Sequence, residues 1–302
     1  MTFAVTILGC GFSGGVPRPG TGWGACDPNN PKNRRRRCSI LVDRTAPDGG
    51  RTQVLVDTSP DLREQLLDAA VNHLDGVLYT HEHADHIHGI DDLRALFIAH
   101  KRRVDVYADE PTWRILSLRF GYCFVTPPGS SYPPYLTRHA IAAGEPVTIS
   151  AAGGAVSAMP FLLPHGDIAA LGFRFGTMAY TPDLVDIPEA AIKALLGVEL
   201  WIVDALWYRP HPSHFHLDLT LQWIDRIKPK RAILTNMHSD LDFEALRAKL
   251  PAHVEPGFDG MRVEGQAIRG HPSCSWPGAS LHLAADHALS IGSIQATRER
   301  RR

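Results

Sequence analysis

The chain has 302 residues, room for one large domain with a sizeable core or for two small ones, and its 44% hydrophobic and 21% charged residues are ordinary for a globular protein. Lys plus Arg (31) nearly cancels Asp plus Glu (32), which excludes a global electrostatic pull towards nucleic acid or anionic membrane. Five scattered cysteines, Cys10, Cys26, Cys38, Cys123 and Cys274, form no C-x-x-C pair, so no disulfide framework is expected and a reducing cytoplasm fits.

Phe3–Leu8 reads as a strand running into a glycine turn; its short apolar run lacks the basic flank of a secretion signal. Ser39–Val42 and Gln53–Val56 are further strands. The arginine run Arg34–Arg37 just before them reads as a solvated charge run. Ser59-Pro60-Asp61 opens a helix that runs through Val71. Gly76–Tyr79 is a buried-type strand leading straight into His81, and Asp91–Ala99 has helical spacing. Val104–Tyr107 reads as a strand and Pro111–Leu118 as a short helix. From Thr126 to Tyr135 four prolines forbid regular structure, leaving a long loop that carries Tyr132 and Tyr135.

Strands follow at Ala155–Met159, Leu171–Phe175, Met178–Tyr180, Leu200–Val203 and Ala232–Leu234, with helices over Glu189–Leu196, Leu219–Ile227 and Phe243–Leu250. Many strands interleaved with fewer helices predict a layered α/β fold. Residues 1–263 are read as one domain and 264–302, which ends in an arginine-rich cluster, as a partly disordered extension. No segment approaches the ~18 apolar residues of a membrane span.

Histidine occurs 16 times, and its clustering carries the chemistry. In Thr80-His81-Glu82-His83-Ala84-Asp85-His86, four ligand-type residues fall within six positions. Leaving a strand, His81 and His83 point the same way, while Asp85 and His86 follow where the chain turns into a helix. Imidazoles with a carboxylate suit zinc above all, with manganese or iron as alternatives. His165, Asp183 and His238 each lie at or just past a predicted strand end, where layered sheets carry functional loops.

That order of ligands, with Leu8–Pro17, Asn33–Ser39 and Gly257–Met261, resembles the metallo-β-lactamase superfamily, an αββα sandwich of two mixed sheets flanked by helices. Within it the chain is most similar to PhnP-type phosphodiesterases, relatives of the tRNA 3′-end nuclease RNase Z. The resemblance implies that His81, His83 and His165 hold one divalent metal, that Asp85, His86 and His238 hold a second, and that Asp183 bridges them. Asn236, where relatives place the last ligand, is a poorer donor than His238. Such relatives also carry a cysteine cluster for a separate structural zinc; only Cys26 matches, so that site is expected to be absent.

Two such cations, about 3.5–4 Å apart, hold a hydroxide between them at neutral pH, ready for in-line attack on phosphorus. Asp85 or Asp183 would orient it. Among His211, His214 and His216, the setting His216-Leu217-Asp218-Leu219 makes His216 the preferred phosphate contact and proton donor, with His214 as alternative. Asp57 and Asp204, each closing a strand, are candidates for orienting ligand imidazoles. Tyr132 or Tyr135 is a candidate for stacking on a nucleobase. The expected function is a phosphodiesterase on small or cyclic nucleotide-type diesters. Its partner is that substrate alone, with no membrane, no stable nucleic-acid complex and, by resemblance, a homodimer. The alternatives are an RNase Z-like nuclease, which would need a basic arm not evident here, and a non-catalytic metal-binding protein.

Overall fold

The computed structural model describes residues 2–264. With strands numbered along the chain, the first sheet takes β1 (Thr2–Gly9), β2 (Ser39–Thr45), β3 (Arg51–Val56), β4 (Gly76–Leu78), β5 (Val104–Ala108), β6 (Leu136–Ala140) and β14 (Arg262–Glu264). The second takes β7 (Val147–Ala151), β8 (Gly154–His165), β9 (Ile168–Phe175), β10 (Met178–Thr181), β11 (Leu200–Asp204), β12 (Arg231–Thr235) and β13 (Val254–Pro256). Their orders are β14-β1-β2-β3-β4-β5-β6 and β13-β12-β11-β10-β9-β8-β7. In each sheet the outer hairpin strands run antiparallel, while β3 to β6 and β10 to β13 run parallel. Helices α1 (Leu62–Asp68), α2 (Ala84–Ile87), α3 (Leu93–His100), α4 (Glu110–Phe120), α5 (Glu189–Leu195), α6 (Leu217–Ile227) and α7 (Phe243–Arg247) flank them.

Alternation along the strands builds two cores. Ile40, Val42, Val54 and Val56 join Phe173, Tyr180, Ile202 and Ile233 in a core shared by both sheets. Leu41, Leu55, Val77 and Tyr79 point the other way and are covered by Leu62 and Leu66 of α1 and Leu93 of α3. A sheet buried on both faces must be apolar on both, which explains the unbroken hydrophobic runs in β2 to β4. Among these helices α6 has the clearest stripe, with Leu217, Thr220, Ile224 and Ile227 buried at helical spacing. The two mixed sheets with flanking helices are the αββα architecture expected from the ligand order.

Several elements differ from expectation. β8 extends to His165, although it contains Pro160 and Pro164. Beyond Ala158 it pairs only with β9, so the prolines sit on a stretch whose other edge carries no ladder. β6, β7, β13 and β14 lie in short segments whose apolar pattern is too brief to read alone. Arg34–Arg37 is not a solvated run: Arg35 is buried, its guanidinium donating to the carbonyls of Leu241 (2.7 Å) and His238 (3.4 Å), and Arg37 pairs with Asp61. Glu264 closes β14, and the rest of the proposed C-terminal extension lies outside the described residues. No described helix is long and apolar enough to cross a membrane.

Candidate metal centre

The chemistry collects where parallel strands end. Asp57 follows β3 in the left-handed region (φ 64°), so the chain turns there and its carboxylate faces the neighbouring strand end. Its Oδ1 accepts the Thr80 N–H at 2.8 Å, and its Oδ2 accepts the Thr80 hydroxyl at 2.8 Å and the His86 Nδ1–H at 2.7 Å. Since the Thr80 hydroxyl proton is committed to Asp57, Thr80 Oγ1 accepts from His81 Nδ1 at 2.9 Å. His165, closing β8, donates Nδ1–H to the Ser213 carbonyl at 2.7 Å. Each of the three rings thus has its Nδ1 committed to an oxygen, which leaves Nε2 as the nitrogen turned towards a cation.

Those lone pairs converge. His81, His83 and His165 bring three ligand nitrogens within 4.8 Å of one another, and His81, His86 and Asp183 do the same with two nitrogens and an oxygen. His165 Nε2 is 3.1 Å from His83 Nδ1, and Asp183 Oδ2 lies 2.7 Å from His86 Nε2 and 3.9 Å from His81 Nε2. Asp85 Oδ2 stands 3.5 Å from His86 Nε2. Donors at ~2.1 Å from a tetrahedral ion stand roughly 3.4 Å apart, and these spacings bracket that value.

Within this cluster two buried atoms, His81 Nε2 and Asp183 Oδ2, have no hydrogen-bond partner. His86 is close enough to Asp183 Oδ2 for an ion pair but not aligned to donate to it. Buried polar atoms without partners are costly, and a cation among them removes that cost. The residues present fit divalent metal ions.

Electrostatics agrees. Burial opposes charge on His86, but Asp183, Asp85 and Asp57 outweigh it and hold its pKa well above the usual value. Burial lowers His81 and His165, keeping both neutral. Burial likewise opposes the Asp183 charge, and His86 and His214 overcome it, leaving its carboxyl well below the usual range. Three carboxylates around one point favour positive charge there.

Of the remaining expected residues, the structure brings His214 into the cluster and leaves His216, His238, Tyr132 and Tyr135 out of it. His214, not His216, enters the cluster: its Nδ1 is 3.0 Å from Asp204 Oδ2 and 3.2 Å from Asp183 Oδ1, and His165, Asp183 and His214 form a third ligand-spaced group. Burial opposes charge on His214, but Asp204 and Asp183 push its pKa up to about 10, while burial raises Asp204 to about 7. His216 is the N-cap residue of α6 and does not line the cleft, because Leu217 and Thr220 face the core and start the helix there.

His238 lines the cleft but lies outside the ligand groups. Its ring sits between Phe12 (centroids 4.5 Å) and Trp207 (5.2 Å), and its Nδ1 accepts the Asp240 N–H at 3.2 Å. Asn236 stands closer: directly after β12 in the left-handed region (φ 58°), it donates Nδ2–H to Asp183 Oδ1 at 2.8 Å and Asp204 Oδ1 at 3.2 Å. Tyr132 is exposed under the Arg94 guanidinium, and Tyr135 is buried with its hydroxyl on Asp91; neither reaches the cleft.

The cleft is a cavity of about 560 Å³ whose walls include His83, Asp85, Asp183 and His214 at one side and Phe12 and Trp207 at another. The role of Ser213 was beyond sequence reasoning, because a backbone acceptor leaves no mark in a side chain. Phe12 and Trp207 had only their aromatic character as a signal, which the loop tyrosines shared.

Comparison with known proteins agrees with this geometry. Residues 52–237 match the beta-lactamase superfamily domain. The crystal structure of a new diphosphatase from the PhnP family is 34% identical, with a TM-score of 0.77 over 88% of this chain and 98% of that one. Zinc-bound PqqB from Methylobacterium extorquens, 19% identical with a TM-score of 0.67 over 86% of this chain and 99% of that one, shares the fold. An octanoyltransferase of Porphyromonas gingivalis (strain ATCC BAA-308 / W83) is 34% identical over 270 residues, 87% of this chain but 52% of that protein, so the chain spans about half the length of this curated relative. With the ligand-bearing strand ends, the two mixed sheets and a match over more than half its length, the chain belongs to the metallo-β-lactamase superfamily, in its PhnP-like branch.

Proposed function

We propose that this metallo-β-lactamase-fold hydrolase is a two-metal phosphodiesterase acting on small or cyclic nucleotide-type diesters. The observation that carries the reading is the convergence of the His81 and His86 Nε2 atoms on Asp183 Oδ2, with His81 Nε2 and Asp183 Oδ2 lacking hydrogen bonds, beside an open cavity. When bound, divalent cations supply Lewis acidity, lowering the pKa of water and neutralising phosphoryl oxygens.

The protein's own groups do the rest. Asp85, partly buried on the cavity wall, accepts a hydrogen bond from the attacking water and orients it. Asp183 and Asp57 fix the imidazoles, so no reorganisation is needed as charge shifts. His214, gripped at Nδ1 by Asp204, turns its other nitrogen to protonate the leaving oxygen. His214 thus takes the part sequence reasoning gave to His216. Substrate enters through the 560 Å³ cavity, which is larger than a phosphate group requires.

A second reading, hydrolysis of a diphosphate linkage, is favoured by the PhnP-family diphosphatase named above, which is 34% identical. The octanoyltransferase name describes a protein only half covered by this chain and lends no support to acyl transfer here. The test is hydrolysis of bis-p-nitrophenyl phosphate and of a dinucleoside diphosphate by chelator-stripped protein reloaded with zinc or manganese. Diester turnover that appears on reloading supports the proposal. Cleavage of the diphosphate alone selects the second reading, and no turnover of either removes both.

A further inference from the structure

The cavity carries charge of opposite sign on its wall. Its carboxylates, Asp85 and Asp183, belong to the metal end, and Arg18 is the only lysine or arginine among the described residues that line it. The Arg18 guanidinium lies over the Phe12 ring, 5.7 Å from its centroid. Phe12 in turn packs on His238, two residues after the Asn236 that bonds Asp183. Arg18 therefore stands across the Phe12–His238 pair from the metal end.

Arg18 is held there from three sides. Its backbone N–H and carbonyl close a tight hairpin with Gly22, at 2.8 and 2.7 Å. A Cβ on Gly14 would lie 2.7 Å from Phe12 Cζ and 3.1 Å from Arg18 Cδ, so a glycine leaves room for both the ring and the arginine stem. The face of Phe12 attracts the cation. Yet the guanidinium has no carboxylate or hydrogen-bond acceptor among the described residues. Arg35, Arg36 and Arg37 nearby are each bonded to a backbone carbonyl or an aspartate. An exposed arginine is ordinarily just solvated. One whose backbone and stem are fixed, with its donors left open on a cavity wall, is preorganised for an anion, and its planar fork matches phosphate.

We infer that Arg18 binds a second phosphate of the substrate, so that the preferred substrate is a nucleotide diester with a terminal phosphate set apart from the scissile one. This rests on the phosphodiesterase reading above and narrows it. A phosphate bonded directly to the scissile one would stay at the metal end. The 5′-phosphate of a nucleoside 2′,3′-cyclic phosphate is separated from the reacting phosphorus by the ribose, as Arg18 is separated from the metal end by a layer of rings. The cavity, at about 560 Å³, has room for both groups.

The test compares 2′,3′-cyclic AMP with and without a 5′-phosphate as substrates of full-length, metal-reloaded protein. Wild type should favour the 5′-phosphorylated form in kcat/KM by roughly tenfold or more, the worth of a hydrogen-bonded charge pair. Arg18→Ala should bring that ratio close to one, and Arg18→Lys, which keeps the charge without the fork, should leave it in between. Reading a ratio cancels any general loss of activity in the variants. Calorimetry supplies a readout without turnover: adenosine 3′,5′-bisphosphate should bind wild type roughly tenfold or more tightly than 3′-AMP does, and Arg18→Ala should bind the two alike. Equal treatment of either pair by wild type, or a preference that survives in Arg18→Ala, overturns the inference. If wild type hydrolyses neither cyclic nucleotide, the diester reading fails, and the binding comparison still decides whether Arg18 takes a second phosphate.

Discussion

The carboxylate of Asp204 holds His214 by its Nδ1 at 3.0 Å, and the same ring lies 4.6 Å, centroid to centroid, from the ligand imidazole of His165. A proton donor tied to a buried carboxylate and placed beside the ligands is positioned to serve a leaving group. His214→Ala should lower kcat by ~10²–10⁴-fold on a diester with a poor leaving alcohol, the usual worth of a general acid. The loss should be much smaller with p-nitrophenyl esters, whose leaving group needs no proton. Asp204→Asn should act in the same direction by a smaller factor, and His216→Ala should change neither rate. Steady-state kinetics on the paired substrates checks all three.

Asp57 touches no substrate, yet it sets the orientation of His86 and, through Thr80, of His81. Asp57→Asn keeps the shape and tolerates the left-handed backbone (φ 64°). It presents an amide N–H to the Nδ1–H of His86 or gives up the Thr80 bond. Metal affinity should fall roughly 10–100-fold with the fold intact, the range typical for removing such a partner. Competition against a chromophoric chelator, with circular dichroism as control, measures this.

Gly89 closes the His81–His86 segment against the chain after β3. Its N–H donates to the Thr58 carbonyl at 2.9 Å, and a Cβ there would lie 2.0 Å from the Ser59 carbonyl oxygen. Backbone cannot move aside as a flexible side chain does. Gly89→Ala should destabilise the protein by about 1–3 kcal/mol in urea unfolding, as overpacking does elsewhere.

Asp259 accepts the N–H groups of Arg36 (2.7 Å) and Cys10 (3.2 Å), and burial pushes its pKa up to about 7 from 3.8. Because the folded value exceeds the unfolded one, the folded state holds the extra proton between those values. Stability from this group is therefore fullest below pH ~4 and is lost as pH rises towards 7. The stability difference between wild type and Asp259→Asn should shift against wild type across that window. A difference independent of pH would contradict the assignment.

How much of this was legible in the sequence depended on whether a signal was local. His81, His83, Asp85 and His86 are contiguous and follow a strand, so their convergence could be read directly. His165 and Asp183 could be placed because each follows a readable strand. The choice between His214 and His216 was not local: both flank the buried Phe215, and only the start of α6 at Leu217 decides which faces the cleft. His238 against Asn236 turned on the Phe12 and Trp207 rings, one from the N-terminal segment and the other from the loop after β11. Likewise, Pro160 and Pro164 hid the length of β8, because what tolerates them is a missing neighbour strand.

Anomalous diffraction from crystals grown with manganese and zinc tests the central claim most directly. Two peaks about 3.5–4 Å apart, one beside His83 and His165 and the other beside Asp85 and His86, with Asp183 between them, are the predicted result. A single peak at His238, or none near Asp183, would contradict the account.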